Sequence, residues 1–360
     1  MAKGGYIGDG NNKARKVKKG YIGDSSGKAR KVKKGYIGDV NGKARLFWTS
    51  NINTLVAWSP YSYNMNYSTN LQSWTNGATD TATFTKGTYG NDRFVRFRPD
   101  IVSYSENGIT WTQATHSPSL NLNPYEFIDG KFIGYMGIRN GTNTYYTSTN
   151  GYTWISNSLN MNSTSFLSFS PYRVIKANST YVMIGRNDQT DYTYGMVFTS
   201  NDMINWNEKY HGVNRRCTDI AYGNGKCVVI GLNYDDSGFT LVSDDLFNTA
   251  TIGYSAEYIS ISFGNGVFVA INGSLSNPSV DYSTDGYSWT RGLNFSSYTE
   301  RRQISVVFTG EKFYTIGDYG YSYYSENGMN WTQMTGLDSS VTYSNLLYSI
   351  DGGGRQPLTS

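Results

Sequence analysis

Cysteine is almost missing from this chain of 360 residues, which has two, Cys217 and Cys227. A disulfide scaffold is thereby excluded, and so is a four-thiolate metal centre. The pair flanks Gly223-Asn224-Gly225. With that tripeptide as a hairpin turn, the thiols do not fall opposite each other, and both are expected free. Histidine is as scarce, with His116 and His211 alone, so no metal-ligand spacing occurs. Neither G-x-S-x-G nor a phosphate-loop pattern is present, and no cofactor or metal is expected. Apolar runs extend only a few residues, too short to cross a bilayer as a helix. The opening MAKGGYIGDG has no apolar h-region, so no secretory signal peptide is expected.

What the chain has instead is aromatic side chains and glycine: 32 Tyr, 16 Phe, 8 Trp and 40 Gly, against 16% charged residues. That composition belongs to a β-rich globular protein, not a disordered one. The net charge of +4 conceals a division. Residues 1–45 hold 13 Lys or Arg against Asp9, Asp24 and Asp39, or +10. The other 315 residues hold 18 basic and 24 acidic side chains, or −6. Two domains are expected, a basic one at 1–45 and a larger one at 46–360.

The larger part repeats a seven-residue phrase. It reads STNLQSW at 68–74, SENGITW at 105–111, STNGYTW at 148–154 and SNDMINW at 200–206. It returns as STDGYSW at 283–289 and SENGMNW at 325–331, with a degenerate SDDLFNT at 243–249 whose Thr249 stands where Trp belongs. The seven copies start 37 to 52 residues apart. Six of the eight tryptophans, Trp74, Trp111, Trp154, Trp206, Trp289 and Trp331, share one position. The Asx of the phrase is Asn70, Asn107, Asn150, Asp202, Asp245, Asp285 or Asn327. Asx-Gly supplies positive φ cheaply, and the Asx side chain accepts backbone N–H groups, so the phrase reads as a turn. Upstream lie paired β runs around a second Gly-rich turn, as in ISISFGNGVFVAING at 259–273 and IAYGNGKCVVIG at 220–231. Four strands per unit of this length is the pattern of a propeller blade.

The phrase S-x-[DN]-x-G-x-x-W resembles the Asp-box, or BNR repeat, of sialidase-like β-propellers, and it recurs through nearly all of the larger part. The resemblance implies an all-β fold. Seven copies imply seven blades, whereas the sialidases close with six, so the likeness is to the repeat and not to the enzymes. It also implies that the boxes are structural and lie on the face away from ligand. For ring closure, SNLLYSIDGGG at 344–354 matches the first strand and Gly turn of a blade. It is expected to complete the first blade as its inner strand, with LFWTS at 46–50 as the competing segment.

With short repeated turns on one face, the connections that vary must lie on the other, where functional residues usually ride. IRNGTNTYY at 138–146 brings Arg139 and Tyr145, and RNDQTDYTY at 186–194 brings Tyr192 and Tyr194. KYHGVNRR at 209–216 is expected to link two blades and brings Tyr210, His211, Arg215 and Arg216. SYTERR at 297–302 is expected to link two more and brings Tyr298, Arg301 and Arg302. Tyrosine faces and guanidinium groups suit stacking on sugar rings and bonding to hydroxyls or anions. A sialidase needs an arginine triad, a Tyr–Glu pair and an acid. Nothing in the sequence pairs Glu257 or Glu300 with Tyr and three Arg, so binding without turnover is expected. A glycan hydrolase is the alternative.

The basic part says one phrase three times: GYIGDGNNKARKVKK at 5–19, GYIGDSSGKARKVKK at 20–34 and GYIGDVNGKAR at 35–45. Each copy reads as a small hairpin or β-arch, with too little apolar content to form a core alone. The phrase resembles repeats that precede receptor-binding or accessory domains in structural proteins of tailed phages and prophages of Gram-positive bacteria. That resemblance implies a virion protein released by lysis, with the repeats as an anchor to capsid or tail proteins. The anchoring residues are then Tyr6, Tyr21 and Tyr36 with Arg15, Arg30 and Arg45, and a host cell-wall glycan is the expected ligand of the larger part. Nucleic acid, through lysine and arginine on phosphates, is the other reading of a basic 45-residue segment.

Overall fold

The Ser-x-Asx phrase is a turn closed by its own side chains. In the copy at 283–289 of this computed structural model, Ser283 Oγ donates to Asp285 Oδ1 (3.0 Å) and accepts the Gly286 N–H (2.8 Å). Asp285 Oδ1 also accepts the Tyr287 and Ser288 N–H groups, both at 2.8 Å. The same bonding recurs at Asn70, Asn107, Asn150, Asp202, Asp245 and Asn327. At Asp202 the Asn205 backbone N–H holds the carboxyl well below the usual range. The residue after the Asx is left-handed: φ is +73° at Gly108 and +77° at Gly286, but also +59° at Leu71 and +62° at Met203.

The structure describes residues 54–58, 65–77, 86–98, 101–114, 125–135, 138–139, 144–162, 168–187, 194–213, 215–254, 256–274, 276–295, 303–317, 320–337 and 345–348, and before them the strands at 5–8, 14–17, 21–23, 29–31, 34–38 and 44–49. The chain divides into two units, Met1–Ile52 and Asn53–Thr359. In the first, three antiparallel pairs form, one per repeat: Gly5–Gly8 with Ala14–Val17, Tyr21–Gly23 with Ala29–Lys31, and Lys34–Gly38 with Ala44–Thr49. The register is the same each time, with Ile7, Ile22 and Ile37 opposite Arg15, Arg30 and Arg45.

The second unit holds seven antiparallel sheets. Blade II is Lys86–Gly90, Arg93–Arg98, Ile101–Ser105 and Thr112–Gln113 in sequence order. Blade III is Tyr125–Ile128, Lys131–Tyr135, Thr144–Ser148 and Ile155–Ser158. Blade IV is Ser168–Ala177, Thr180–Asn187, Tyr194–Ser200 and Asn205–Val213, widened by Ile138–Arg139 on its inner edge and Asn160–Asn162, parallel, on its outer edge. Blade V is Arg215–Gly223, Lys226–Asn233, Gly238–Ser243 and Thr251–Ile252. Blade VI is Tyr258–Gly264, Val267–Asn272, Ser279–Ser283 and Thr290–Asn294, and blade VII is Gln303–Phe308, Phe313–Gly317, Ser322–Ser325 and Thr332–Gln333.

Blade I closes the circle. Leu55–Trp58, Met65–Ser68 and Thr75–Asn76 take their inner strand from the other end of the unit, Asn345–Tyr348, with Leu55 opposite Tyr348. The competing segment, LFWTS, pairs within the first unit instead. First strands of neighbouring blades touch around the whole circle, from 86–90 through 303–308 to 345–348 and back. The fold is a seven-bladed β-propeller. A second tie joins its ends at the rim, where the Trp74 N–H donates to the Thr335 carbonyl (2.8 Å) and Trp74 Nε1 to Ser322 Oγ (2.8 Å).

Seven apolar clusters fill the seven gaps between blades. One turn aromatic enters each gap. Trp206 and Trp74 are 0% and 5% exposed, and Trp111, Trp154, Trp289 and Trp331 are half-buried. In blade V the place of the missing Trp is taken by Phe247, 2% exposed, from a turn one residue longer. Each turn also presses on the blade before it. A Cβ on Gly108, Gly151, Gly286 or Gly328 would meet a valine methyl of that blade at 2.4 to 2.7 Å.

The other turn of each blade, between its first and second strands, lies on the same face. Asn91, Asn224 and Asn265 have φ near +46° to +49°, and each carboxamide reaches the next blade. Asn224 Nδ2 donates to the carbonyls of Gly266 (2.9 Å) and Thr284 (3.0 Å). Two net hydrogen bonds and a left-handed backbone make Asn224→Ala cost about 1–2 kcal/mol. Asn224→Gly, which keeps the backbone free but loses both bonds, should cost part of that. Urea titration measures both; equal stability of all three proteins would show that these carboxamides do not join the blades.

Candidate functional site

Two sets of contacts join the first strands of neighbouring blades. At the turn side, rings from the first strands lie over glycines of the preceding blade: Phe127 over Gly90, Phe263 over Gly223 and Phe308 over Gly264, where an added Cβ would fall within 2.2 Å of a ring atom. Farther up, an ion network crosses blades III to VII. Arg173 pairs with Glu126 (3.3 Å) and Asp219, and each of the three side chains is at most 12% exposed. Asp219 Oδ2 accepts the Ile261 N–H (3.0 Å), and Ser260 Oγ accepts the Val306 N–H (3.2 Å). Arg173, Asp219, Ser260 and Ser305 each follow a β-bulge at the same register, which turns all four positions toward the axis. Between the two layers lies a cavity of about 20 Å³, lined by Ile175, Ile220, Ile261 and Val306, with room for one water. The sequence assigns the residues expected to bind to the loop side.

On that side the structure divides the residues expected to act together. Residues 209–216 are not a loop: Tyr210 and His211 sit in the outer strand of blade IV, and Arg215 and Arg216 open the inner strand of blade V. Successive strand residues face opposite ways. Tyr210 packs into the gap between blades IV and V, while His211 meets Tyr194 on the other side, ring centroids 4.7 Å apart. His211 Nδ1 lies 3.8 Å from Glu208 Oε1, and its Nε2 is buried without a hydrogen-bond partner. Tyr145 is no surface ligand. Its strand has already begun at Thr144, so the ring, 7% exposed, enters the core between blades III and IV, where burial raises its hydroxyl pKa. Arg139 lies in the short strand on the inner edge of blade IV. Tyr192, Tyr298, Arg301 and Arg302 lie outside the described residues.

Arg215 and Arg216, on opposite faces of the inner strand of blade V, are each tied to polar partners. Arg215 Nη1 donates to the Tyr210 hydroxyl (3.0 Å), and its Nε donates to Asn233 Oδ1 (3.1 Å). Arg216 Nη2 binds Asp236 Oδ1 at 2.9 Å. The loop behind them is stiff: the Asn233 N–H donates to the Ser237 carbonyl (2.7 Å), and Asp235 accepts from Ser237, whose hydroxyl holds the Asp235 carboxyl below its ordinary range. From this loop Tyr234 stands 71% exposed. The set offers a tyrosine face, two oriented guanidinium groups and amide donors. The sequence places NYDDSG at 233–238 among the loops of this face without singling out Asn233 or Tyr234.

No protein-family model and no curated protein matches the chain. Solved structures do. A protein from Lactobacillus plantarum superposes with a TM-score of 0.54 at 10% identity, over 82% of this chain and 99% of that one. The likeness is one of fold. YCF48 from Cyanidioschyzon merolae follows with a TM-score of 0.46 at 12% identity, over 74% and 93% of the two chains. Virginiamycin B lyase from Staphylococcus aureus gives 0.46 at 9%, over 75% and 93%. A likeness of fold does not fix function, which must be argued from the site.

Both cysteines are free and buried, paired in register with Gly231 and Tyr222 and not with each other. Burial pushes both thiols up to about 12, so neither is a nucleophile.

Proposed function

We propose that the chain is a structural protein of a tailed-phage particle, in which the basic repeats attach the propeller and its loop side holds a host-surface glycan without cleaving it. The observation that carries the binding reading is the stiff loop at 233–238, whose Tyr234 is exposed to solvent and whose Asn233 and Asp236 hold the guanidinium groups of Arg215 and Arg216. A rigid exposed ring with oriented donors is what a sugar needs for stacking and hydroxyl bonding. The attachment reading is supported by the +10 charge of residues 1–45 and the shared register of their strand pairs. The part played in the particle is inferred from the resemblance of the repeats.

One site would be weak, on the order of 1 mM, and many copies on one particle would raise the apparent affinity by about 10²–10⁴. The propeller displayed as a multimer should bind host cell walls and release no reducing sugar. Tyr234→Ala with Arg216→Ala should abolish most of that binding at unchanged thermal stability. Sugar release would replace this reading with hydrolysis, and failure to bind any wall preparation would remove it. Particles assembled with protein lacking residues 1–45 should carry no propeller; normal occupancy would sink the anchor.

A further inference from the structure

We infer that the connection from blade V to blade VI, on the loop side, carries a stacking subsite for an uncharged sugar ring, with Tyr254 as its platform and Asp281 as the residue that positions it. The inference rests on the reading that the loop side binds a glycan. Tyr254 lies in the connection from blade V to blade VI and is 44% exposed. Its backbone is nevertheless fixed, because its carbonyl accepts the Thr240 N–H at 3.1 Å. Its ring stacks on Tyr258, with centroids 6.2 Å apart and planes 28° apart. Tyr258 is fully buried and meets Trp289 at 4.8 Å on another side. An exposed ring backed in this way is flat and immobile before any ligand arrives, so little entropy is lost on binding.

What holds the backing ring is Asp281. The Tyr258 hydroxyl donates to Asp281 Oδ2 at 2.9 Å. The other oxygen, Oδ1, lies 3.8 Å from Nε of Arg291, whose Nη1 donates to Asn277 Oδ1 at 3.0 Å. Arg291 keeps 38% of its side chain in solvent, so it retains donors for a ligand oxygen while its charge already faces a carboxylate. That balance favours a neutral hydroxylated ring over an anion.

Asp281 itself is an expensive residue here. It is 3% exposed, and Oδ1 accepts no hydrogen bond among the described residues. Burial pushes its carboxyl above the ordinary value, so keeping it ionised works against the fold. An asparagine would accept from Tyr258 equally well without that cost. The charge is explained if it holds Arg291, with which an asparagine could form no ion pair, in place.

The test compares the full chain, tetramerised, with three variants on an array of neutral gluco-, manno- and N-acetylglucosamine oligosaccharides, alongside thermal unfolding. Tyr254→Ala should weaken binding at least about tenfold, and Tyr254→Phe should bind like the parent. Asp281→Asn should unfold at the same or a higher temperature, yet bind about tenfold more weakly. Binding by the parent that all variants match would overturn the subsite and leave the glycan reading standing. Asp281→Asn unfolding at a lower temperature would make Asp281 a packing residue and overturn its positioning role. No binding by the parent to any neutral glycan would overturn the subsite, while binding to whole walls would still support the broader reading.

Discussion

Without residues 340–360 the second unit should not reach a folded state. The strand they contain, Asn345–Tyr348, is the inner strand of blade I and the contact between blades VII and II at the axis. Its removal uncovers one edge of Leu55–Trp58, whose four side chains are at most 2% exposed. Fully burying each such side chain contributes about 1.5–3 kcal/mol, against a total stability of about 5–15 kcal/mol for a native protein. The rim tie from Trp74 to Thr335 and Ser322 remains, but it joins only the outer half of blades I and VII. Far-ultraviolet circular dichroism and protease resistance of the truncated chain measure this. A cooperative melt at the parent temperature would show that the ring closes some other way. Recovery on adding a peptide of residues 340–360 would confirm that the loss is one of closure.

Arg173→Ala should cost about 3–5 kcal/mol, as expected when one partner of a buried ion network is removed and its counter-charges remain. Glu126 and Asp219 would then face each other across the axis with no cation between them, in a place too dry to screen them. The loss should not be one of packing. Adding Glu126→Gln and Asp219→Asn to Arg173→Ala removes the stranded charges and should recover more than half of the stability, even though three side chains have changed. Guanidinium titration of the parent, the single and the triple variant separates the two causes. A triple variant less stable than Arg173→Ala would show that the carboxylates act through their hydrogen bonds, as from Ile261, and not through charge.

The turns were legible because their chemistry is local. Serine, Asx and glycine lie within four residues of one another, and seven repetitions raise a weak signal to a strong one. Even the damaged copy kept Ser243 and Asp245, although Phe247 in the gap could not be anticipated from a phrase ending in Thr249. The closing strand was legible for the same reason: it is the missing first line of a repeated stanza. What escaped was non-local. Glu126, Arg173 and Asp219 come from three blades, and nothing in any one strand announces the other two. The strand at 160–162 was hidden because it pairs in parallel with another blade, through Asn160 on Asn205 and Asn162 on Asn207. The candidate site was half legible. Residue type singled out the stretch around Arg215, which does link blades IV and V, but strand alternation within 205–213, which decides which neighbours share a side, was not read from the sequence.

The pairing of Leu55–Trp58 with Asn345–Tyr348 also governs how the chain is born. At ribosomal rates of about 5–20 residues per second, the two strands emerge roughly 15–60 s apart. Throughout that interval Leu55, Val56, Ala57 and Trp58 form a sticky, half-paired edge awaiting a partner not yet made. Blades II to VII can stack as they appear, but the circle is completed only once Asn345–Tyr348 has left the tunnel. A stop codon anywhere before 345 therefore yields an open fan with an adhesive margin, prone to join other chains.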